Sequence, residues 1–236
     1  MKPAKFEYER PSTVDEATNL LADEGQFNRV LAGGQSLGPM LNLRLAQPER
    51  LIDITNIPEL KRADRDGDYL TLGACVTHSQ LEDGAAEGFA NGMLESVAHG
   101  ISCRAVRNRG TIGGSVAHAD PAADWPVALL ALGAEVTIAR PDNQRHLPLA
   151  NFLFAPFETA LRSGELLSAV HIPVLSNSAR WGYYKFCRKL GEFAETMAAV
   201  LFDPDRGISR AVIGATEARP TIIDAEFTND TATAMI

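Results

Sequence analysis

The sequence contains little cysteine: Cys75, Cys103 and Cys187 are the only three in 236 residues. So small and scattered a set excludes a disulfide framework and a cysteine-rich metal site. An iron–sulfur cluster takes about four thiolate ligands, so this chain cannot hold one by itself. The five histidines are also too dispersed to form a metal-binding motif.

Long apolar runs and an excess of positive charge are lacking too. No stretch is long enough to cross a bilayer, and residues 1–10 contain no apolar signal segment, so we expect a soluble cytoplasmic protein. Lys and Arg number 22 against 30 Asp and Glu, which gives a net charge of -8. An acidic chain without a basic run is unsuited to binding nucleic acid or membrane surfaces. Any bound phosphate must therefore be held by local backbone N–H groups.

The apolar patterns predict an α+β protein in two or three lobes. A capping box at Ser12–Glu16 is expected to open a helix, and Thr77 with Gln80 is expected to open another. Further helices are expected at 37–45, around 93–97 and at 124–132, and strands at 29–31, 51–54, 69–73 and 135–139. Residues 181–188, 194–202 and 208–214 are typical of successive strands, which indicates a separate C-terminal antiparallel sheet.

Two glycine-rich segments stand out. Ala32-Gly33-Gly34-Gln35-Ser36-Leu37 lies between a predicted strand and a short helix. Thr111-Ile112-Gly113-Gly114-Ser115 is followed by His118-Ala119-Asp120-Pro121-Ala122-Ala123-Asp124. Paired glycines let the backbone approach a ligand closely and let successive N–H groups converge on an anion. A helix that begins just beyond adds a partial positive charge.

Neither segment has the spacing of a Rossmann G-x-G-x-x-G, and neither is followed by a Walker A lysine. A nicotinamide-type Rossmann site and a P-loop are therefore disfavoured. On spacing alone two interpretations stay open: the glycine pairs mark tight turns, or the segments bind a phosphate or a dinucleotide.

The glycine segments also resemble those of a known family, the FAD-binding (medium) subunit of molybdenum hydroxylases of the carbon monoxide dehydrogenase and xanthine dehydrogenase type. The segments that carry this resemblance are Ala32–Leu37, Arg107–Gly114 and His118–Asp124. Weaker similarity is found at Gly164–Leu167 and around Lys185. The likeness extends from Phe6 to about Glu226.

The resemblance implies a vanillyl-alcohol-oxidase/PCMH-type FAD-binding fold. Residues 1–176 would form the FAD-binding domain, with two α/β lobes at about 1–56 and 57–176. Residues 177–236 would form a C-terminal antiparallel-sheet lobe. Relatives of the family continue beyond the position of Glu226, so we expect this lobe to be shortened.

The resemblance also implies the site. Ala32 through Ser36 and Thr111 through Ser115 would surround the pyrophosphate, Asp124 would reach the adenosine end, and Lys185 would lie near the flavin ring. Leu167 would be an apolar contact of the isoalloxazine. The implied FAD contacts are Ala32, Gly33, Gly34, Gln35, Ser36, Leu37, Thr111, Ile112, Gly113, Gly114, Ser115, His118, Asp124, Leu167 and Lys185.

Three of these residues have a structural alternative. Lys185 follows a strand pattern in which an outward lysine is common, and Asp124 is also suited to capping the helix that follows it. His118 fits a hydrogen-bonded structural imidazole as well as a cofactor contact, and we expect FAD to be held non-covalently. Ser115 stands where many relatives have Asn. The serine offers a hydroxyl to the phosphate, but one phosphate contact is changed.

As a function, the resemblance implies electron transfer within an assembly. A large subunit would carry the molybdenum cofactor and a small subunit the [2Fe–2S] clusters, and FAD on this chain would pass electrons to NAD, a quinone or oxygen. Two alternatives are a free-standing FAD oxidoreductase of the same fold and a flavin-free scaffold subunit. Retention of flavin by the purified chain distinguishes the scaffold from the other two.

Overall fold

A parallel three-stranded sheet comes first along the chain, within a computed structural model that describes residues 2–86 and 88–224. Strands β1 (Glu7–Glu9), β2 (Asn28–Leu31) and β3 (Arg50–Asp53) pair in the order β1-β3-β2. Helices α1 (Val14–Leu21) and α2 (Leu37–Asn42) connect the strands. Because parallel strands end at the same edge of a sheet, the segments that follow β2 and β3 lie side by side.

The helix predicted to begin at Ser12–Glu16 is confirmed, but only half of the expected capping box is present. Thr13 is the N-cap, and its hydroxyl accepts a hydrogen bond of 3.1 Å from the backbone N–H of Glu16. The Glu16 carboxylate in turn accepts from the N–H of Ser12 at 2.7 Å. These two bonds satisfy N–H groups that have no partner inside the helix.

An antiparallel five-stranded sheet and most of the helices make up the middle of the chain. Its strands are ordered β4-β5-β10-β6-β7. The elements of this part are the 3-10 helices Pro58–Lys61 and Ala90–Gly92, β4 (Ala63–Asp66), β5 (Tyr69–Gly73), α3 (His78–Glu82), α4 (Met93–His99), α5 (Arg104–Arg107), α6 (Ile112–His118), α7 (Asp124–Leu132), β6 (Glu135–Arg140), β7 (Asn143–Pro148), α8 (Leu149–Phe152), β8 (Leu153–Ala155), β9 (Glu158–Thr159) and β10 (Leu166–Pro173).

A second antiparallel sheet, of four strands in chain order, follows the middle part. It consists of β11 (Arg180–Phe186), β12 (Thr196–Asp203), β13 (Ile208–Gly214) and β14 (Thr221–Asp224), with a 3-10 helix at Pro204–Arg206. The first three strands were predicted and are confirmed. The fourth was not predicted, because residues 221–224 form only one short apolar run at the edge of the sheet.

Helix α7 joins the two antiparallel sheets. All nine of its residues are buried, and it packs against β10 of the middle sheet and against β12 and β13 of the C-terminal sheet. A helix that is apolar all round is expected in the interior of a protein. The largest hydrophobic core therefore runs without a break from the middle sheet, through α7, to the C-terminal sheet.

The arrangement is α+β, and this prediction is confirmed. The proposed boundaries after residues 56 and 176 lie between consecutive sheets. The sequence feature that suggested a shortened C-terminal lobe falls in residues 225–236, outside the described residues. Within residues 2–86 and 88–224, no helix combines the length and the apolar character needed to span a membrane.

Two glycines of the C-terminal sheet test how tightly α7 is packed. A Cβ added at Gly214 would overlap a methyl group of Val127 in α7, whereas one added at Gly182 would meet nothing within 4 Å. We expect Gly214→Ala to lower the free energy of unfolding by about 1–3 kcal/mol, because overpacking forces the helix and the sheet apart. Gly182→Ala is the matched control and should not destabilise the protein. Urea unfolding of both variants is the measurement, and equal stability would contradict this packing.

Candidate functional site

The first glycine segment, residues 32–36, leaves the carboxyl end of β2 and leads into α2. Gly34 has a positive φ of 69°, a conformation that glycine adopts at little cost. The side-chain amide of Gln35 donates to the carbonyl of Gly33 at 2.9 Å and so holds the turn closed. Loops at this edge of a parallel sheet are common places for ligands.

The N–H groups of this segment are free. Within the described residues, the five consecutive N–H groups from Gly33 to Leu37 have no hydrogen-bond acceptor. The carbonyls, in contrast, are used: those of Gly34 and Ser36 accept from Gly38 and Met40 at 2.8 and 3.2 Å. Because backbone N–H groups are normally paired, five free donors in a row make a potential anion-binding site.

The second glycine segment, residues 110–115, differs from its prediction as a loop that precedes a helix. Helix α6 already begins at Ile112, so Gly113 and Gly114 lie in its first turn. Thr111 is the N-cap, and its hydroxyl accepts from the N–H of Gly114 at 3.0 Å. The low helix propensity of a Gly-Gly pair predicts a loop, but the Thr111 cap and the close packing around the glycines stabilise the helix.

Most N–H groups of the second segment are paired inside the protein. Those of Ile112 and Gly113 donate to the carbonyls of Val76 and Ala74, both at 3.0 Å. A Cβ added at Gly113 would lie 2.6 Å from the Cα of Ala74. The glycine is thus needed for close packing of α6 against the middle sheet, and the first segment is the one that offers free donors.

The two segments touch each other directly. A Cβ added at Gly33 would overlap the carbonyl oxygen of Arg109 and would lie 2.7 Å from the Cα of Gly110. No other amino acid fits at position 33 unless one segment moves. The backbone of the first lobe therefore packs on the backbone of the second.

A small apolar cleft of about 70 Å³ lies beside this contact. Ala32, Gly113, Gly114 and Leu167 from the predicted set line it, together with Val30, Ile54, Ala74, Ala117, Leu161, Glu165 and Leu166. This space is smaller than a typical small-molecule site of roughly 300–1,000 Å³, so the cleft has room for only part of a ligand. Free N–H groups next to an apolar cleft fit a ligand that has both a phosphate and an apolar part.

Asp124 and Lys185 form a buried ion pair. The Lys185 ammonium is 2.8 Å from the Asp124 carboxylate and donates to the carbonyl of Gly100 at 2.8 Å. The hydroxyl of Tyr183 donates to the same carboxylate at 2.7 Å. Burial, and then the negative charge of Asp124, raises the pKa of Tyr183 well above its usual value, so the phenol stays protonated.

This ion pair bears on two roles implied by the family resemblance. Asp124 is expected at the adenosine end of FAD and Lys185 near the flavin ring, and both expectations stay predictions. The structure places the two side chains in contact with each other. Lys185 points into the protein rather than outward, and the N-cap of α7 is Ala123 rather than Asp124.

His118 and Ser115 lie farther along α6 than the glycines. His118 is the last residue of α6, and its ring centroid lies 5.0 Å from that of Phe157. Among the described residues its ring has no hydrogen-bond partner, and burial lowers the pKa of His118, so the imidazole is neutral at pH 7. Ser115 donates its backbone N–H to the carbonyl of Thr111 at 3.0 Å. His118 is not among the residues that line the cleft.

Arg107 is a positioning residue that the sequence did not single out. Its buried guanidinium donates to both carboxylate oxygens of Glu82, at 2.7 and 3.0 Å, and to the carbonyls of Ile101 and Ser102, at 2.9 and 2.7 Å. These bonds fix the chain just before the second glycine segment. Arg107 lowers the pKa of Glu82 to about 2, so the pair is charged at all ordinary pH values. Its position in the Arg107–Gly114 motif was the available signal.

Comparison with known proteins bears on this geometry. The family described as the FAD binding domain in molybdopterin dehydrogenase matches residues 4–175. The 6-hydroxypseudooxynicotine dehydrogenase complex subunit alpha of Paenarthrobacter nicotinovorans is 38% identical over 215 residues, which are 90% of this chain and 73% of that protein. The carbon monoxide dehydrogenase medium chain of Hydrogenophaga pseudoflava is 35% identical over 227 residues, 96% of this chain and 79% of that one.

A solved structure agrees with the fold. The carbon monoxide dehydrogenase from Hydrogenophaga pseudoflava that lacks the Mo-pyranopterin moiety of the molybdenum cofactor superposes with a TM-score of 0.90 at 32% identity. The match covers 100% of this chain and 86% of that one. The FAD-binding fold expected from the family resemblance is thereby confirmed.

The buried ion pair gives a testable prediction. Lys185→Met removes the cation and leaves the Asp124 carboxylate buried with only the Tyr183 hydroxyl. We expect the free energy of unfolding to fall by about 3–5 kcal/mol, since an uncompensated buried charge is costly. Guanidinium unfolding followed by circular dichroism is the measurement.

Two further variants control for this result. Lys189→Met removes an exposed lysine from the same part of the chain and should change stability little. The double variant Lys185→Met/Asp124→Asn removes both charges and should recover part of the lost stability. A loss as small for Lys185→Met as for Lys189→Met would show that the pair is not buried.

Proposed function

The chain belongs to the family of FAD-binding domains of molybdopterin dehydrogenases and is a component of an FAD-containing oxidoreductase, and on this premise we propose that it carries FAD non-covalently in an electron-transfer assembly. The observation that carries this proposal is the row of five free N–H groups from Gly33 to Leu37 beside an apolar cleft. The overall charge is -8, so a pyrophosphate here depends on these local donors rather than on a general positive field.

Each part of the site suits one part of FAD. The N–H groups of Gly33 to Leu37 would bind the pyrophosphate, and the second glycine segment would close the site from the other lobe. The apolar cleft, with Leu167 in its wall, would contact an apolar part of the cofactor. Asp124 and Lys185, which pair with each other, would contact polar parts of the cofactor. When bound, FAD supplies reversible acceptance and release of electrons.

The partners follow from a division of chemistry between chains. With three cysteines in all, this chain lacks the ligands of a [2Fe–2S] cluster, which takes about four. The names of its relatives, a complex subunit and a medium chain, describe multi-subunit enzymes. We place a molybdopterin-binding large subunit and an iron–sulfur small subunit beside this chain in the cytoplasm. Electrons would pass from the clusters to FAD and then to NAD, a quinone or oxygen.

Flavin retention with a paired glycine variant tests the proposal. The wild-type chain, incubated with FAD and gel-filtered, should keep the visible flavin bands and release free FAD on acid precipitation. Gly33→Ala pushes the two segments apart, so we expect its dissociation constant for FAD to rise about tenfold or more. Fluorescence titration with FAD is the measurement.

Gly38→Ala is the matched control. Gly38 lies in α2 close to the first segment, and a Cβ there would meet nothing within 4 Å. This variant should bind FAD as the wild type does. If the wild type keeps no flavin even when co-expressed with its neighbouring subunits, the proposal is wrong. If Gly33→Ala binds as well as Gly38→Ala, the pyrophosphate lies elsewhere.

A further inference from the structure

His78 is buried close to the contact between the first and second glycine segments. It is the first residue of α3 and is 6% exposed. Its backbone N–H donates to the carbonyl of Gly110 at 2.9 Å, and the N–H of Ile112 donates to Val76 at 3.0 Å. The backbone around His78 is thus paired with the beginning of the second glycine segment.

The imidazole ring of His78 links this backbone pairing to helix α7. Its Nδ1 accepts a hydrogen bond of 3.0 Å from the indole N–H of Trp125, which is fully buried. An accepting Nδ1 means that the neutral ring carries its proton on Nε2. Burial, and then the positive charge of Arg107, lowers the pKa of His78 to about 4, so the ring stays a neutral acceptor at pH 7.

The other side of the ring faces Gly110. A Cβ added at Gly110 would lie 2.7 Å from Nε2 of His78. Gly110 also meets Gly33, whose added Cβ would lie 2.7 Å from the Cα of Gly110. Gly110 is therefore in close contact with both the ring of His78 and the first glycine segment, so a shift of the ring is expected to move the contact between the segments.

We propose that His78 is a positioning residue for FAD. It ties the second glycine segment to the start of α7, where Asp124 pairs with Lys185. This inference rests on the proposed function. An apolar residue at position 78 would fill the space but leave the buried N–H of Trp125 without a partner. A buried unpaired donor is costly, so α7 and the segment would separate to let water in. We therefore expect such a variant to fold but to bind FAD more weakly.

Two substitutions of His78 separate its bonding role from its bulk. His78→Phe keeps an aromatic ring and removes the acceptor, and we expect the dissociation constant for FAD to rise about tenfold or more. His78→Asn places an amide oxygen near the position of Nδ1 and should rescue binding to within about threefold of the wild type. His146→Phe, at an exposed histidine of β7, is the matched control and should bind FAD normally.

Trp125→Phe removes the donor instead of the acceptor and keeps the test valid if His78→Phe does not fold. It should weaken FAD binding to a similar extent, and the double variant should be no weaker than either single one, because one hydrogen bond is lost in each case. FAD titrations are made well below the melting temperature of each variant, so that loss of affinity is measured on folded protein.

The outcomes distinguish this inference from the proposed function. If the wild type does not bind FAD, the proposed function fails. If the wild type binds FAD and His78→Phe and Trp125→Phe bind equally well with only a lower melting temperature, His78 is merely structural and the inference is overturned. It is also overturned if His78→Asn is as weak as His78→Phe, since the bond to Trp125 would then not be what matters.

Discussion

The close approach of two backbones is the constraint on which the rest of the site depends. Gly33 packs against the Arg109–Gly110 peptide with no room for a side chain. The first segment forms a turn against this surface, and its N–H groups find no acceptor among the described residues. Free donors and an apolar cleft therefore lie next to the same packing contact, and this combination suits a ligand that has a phosphate and an apolar part.

Buried hydrogen bonds and ion pairs hold this contact in place. Arg107 anchors the chain that leads to Gly110, and the ring of His78 lies against Gly110. His78 accepts from Trp125, whose neighbour Asp124 pairs with a lysine of the C-terminal sheet. Each link is satisfied by a charged or hydrogen-bonded partner, as buried polar groups require. These links form a polar path from His78, beside the second glycine segment, through α7 to Lys185 of the C-terminal sheet.

Features that depend only on residues close together in the sequence were predicted correctly. The capping box at Thr77 and Gln80 is present, because it needs only side chains three residues apart. The first glycine segment was placed correctly between β2 and α2, because its position also depends only on the local sequence. The helix at Gly113 was missed because tertiary packing against Ala74 outweighs propensity. The inward direction of Lys185 could not be predicted, since alternation along a strand defines two faces but does not say which one is buried. The identity of the cofactor came from family resemblance and not from spacing.

Hydrogen–deuterium exchange with and without FAD tests the central claim most directly, because it reports on the free N–H groups themselves. We predict that FAD slows exchange at Gly33 to Leu37 strongly, since these amides have no partner within the described residues. The paired amides of Ile112 and Gly113 should already exchange slowly without FAD and should change less. Firm binding of FAD with unchanged exchange at residues 33–37 would contradict the account.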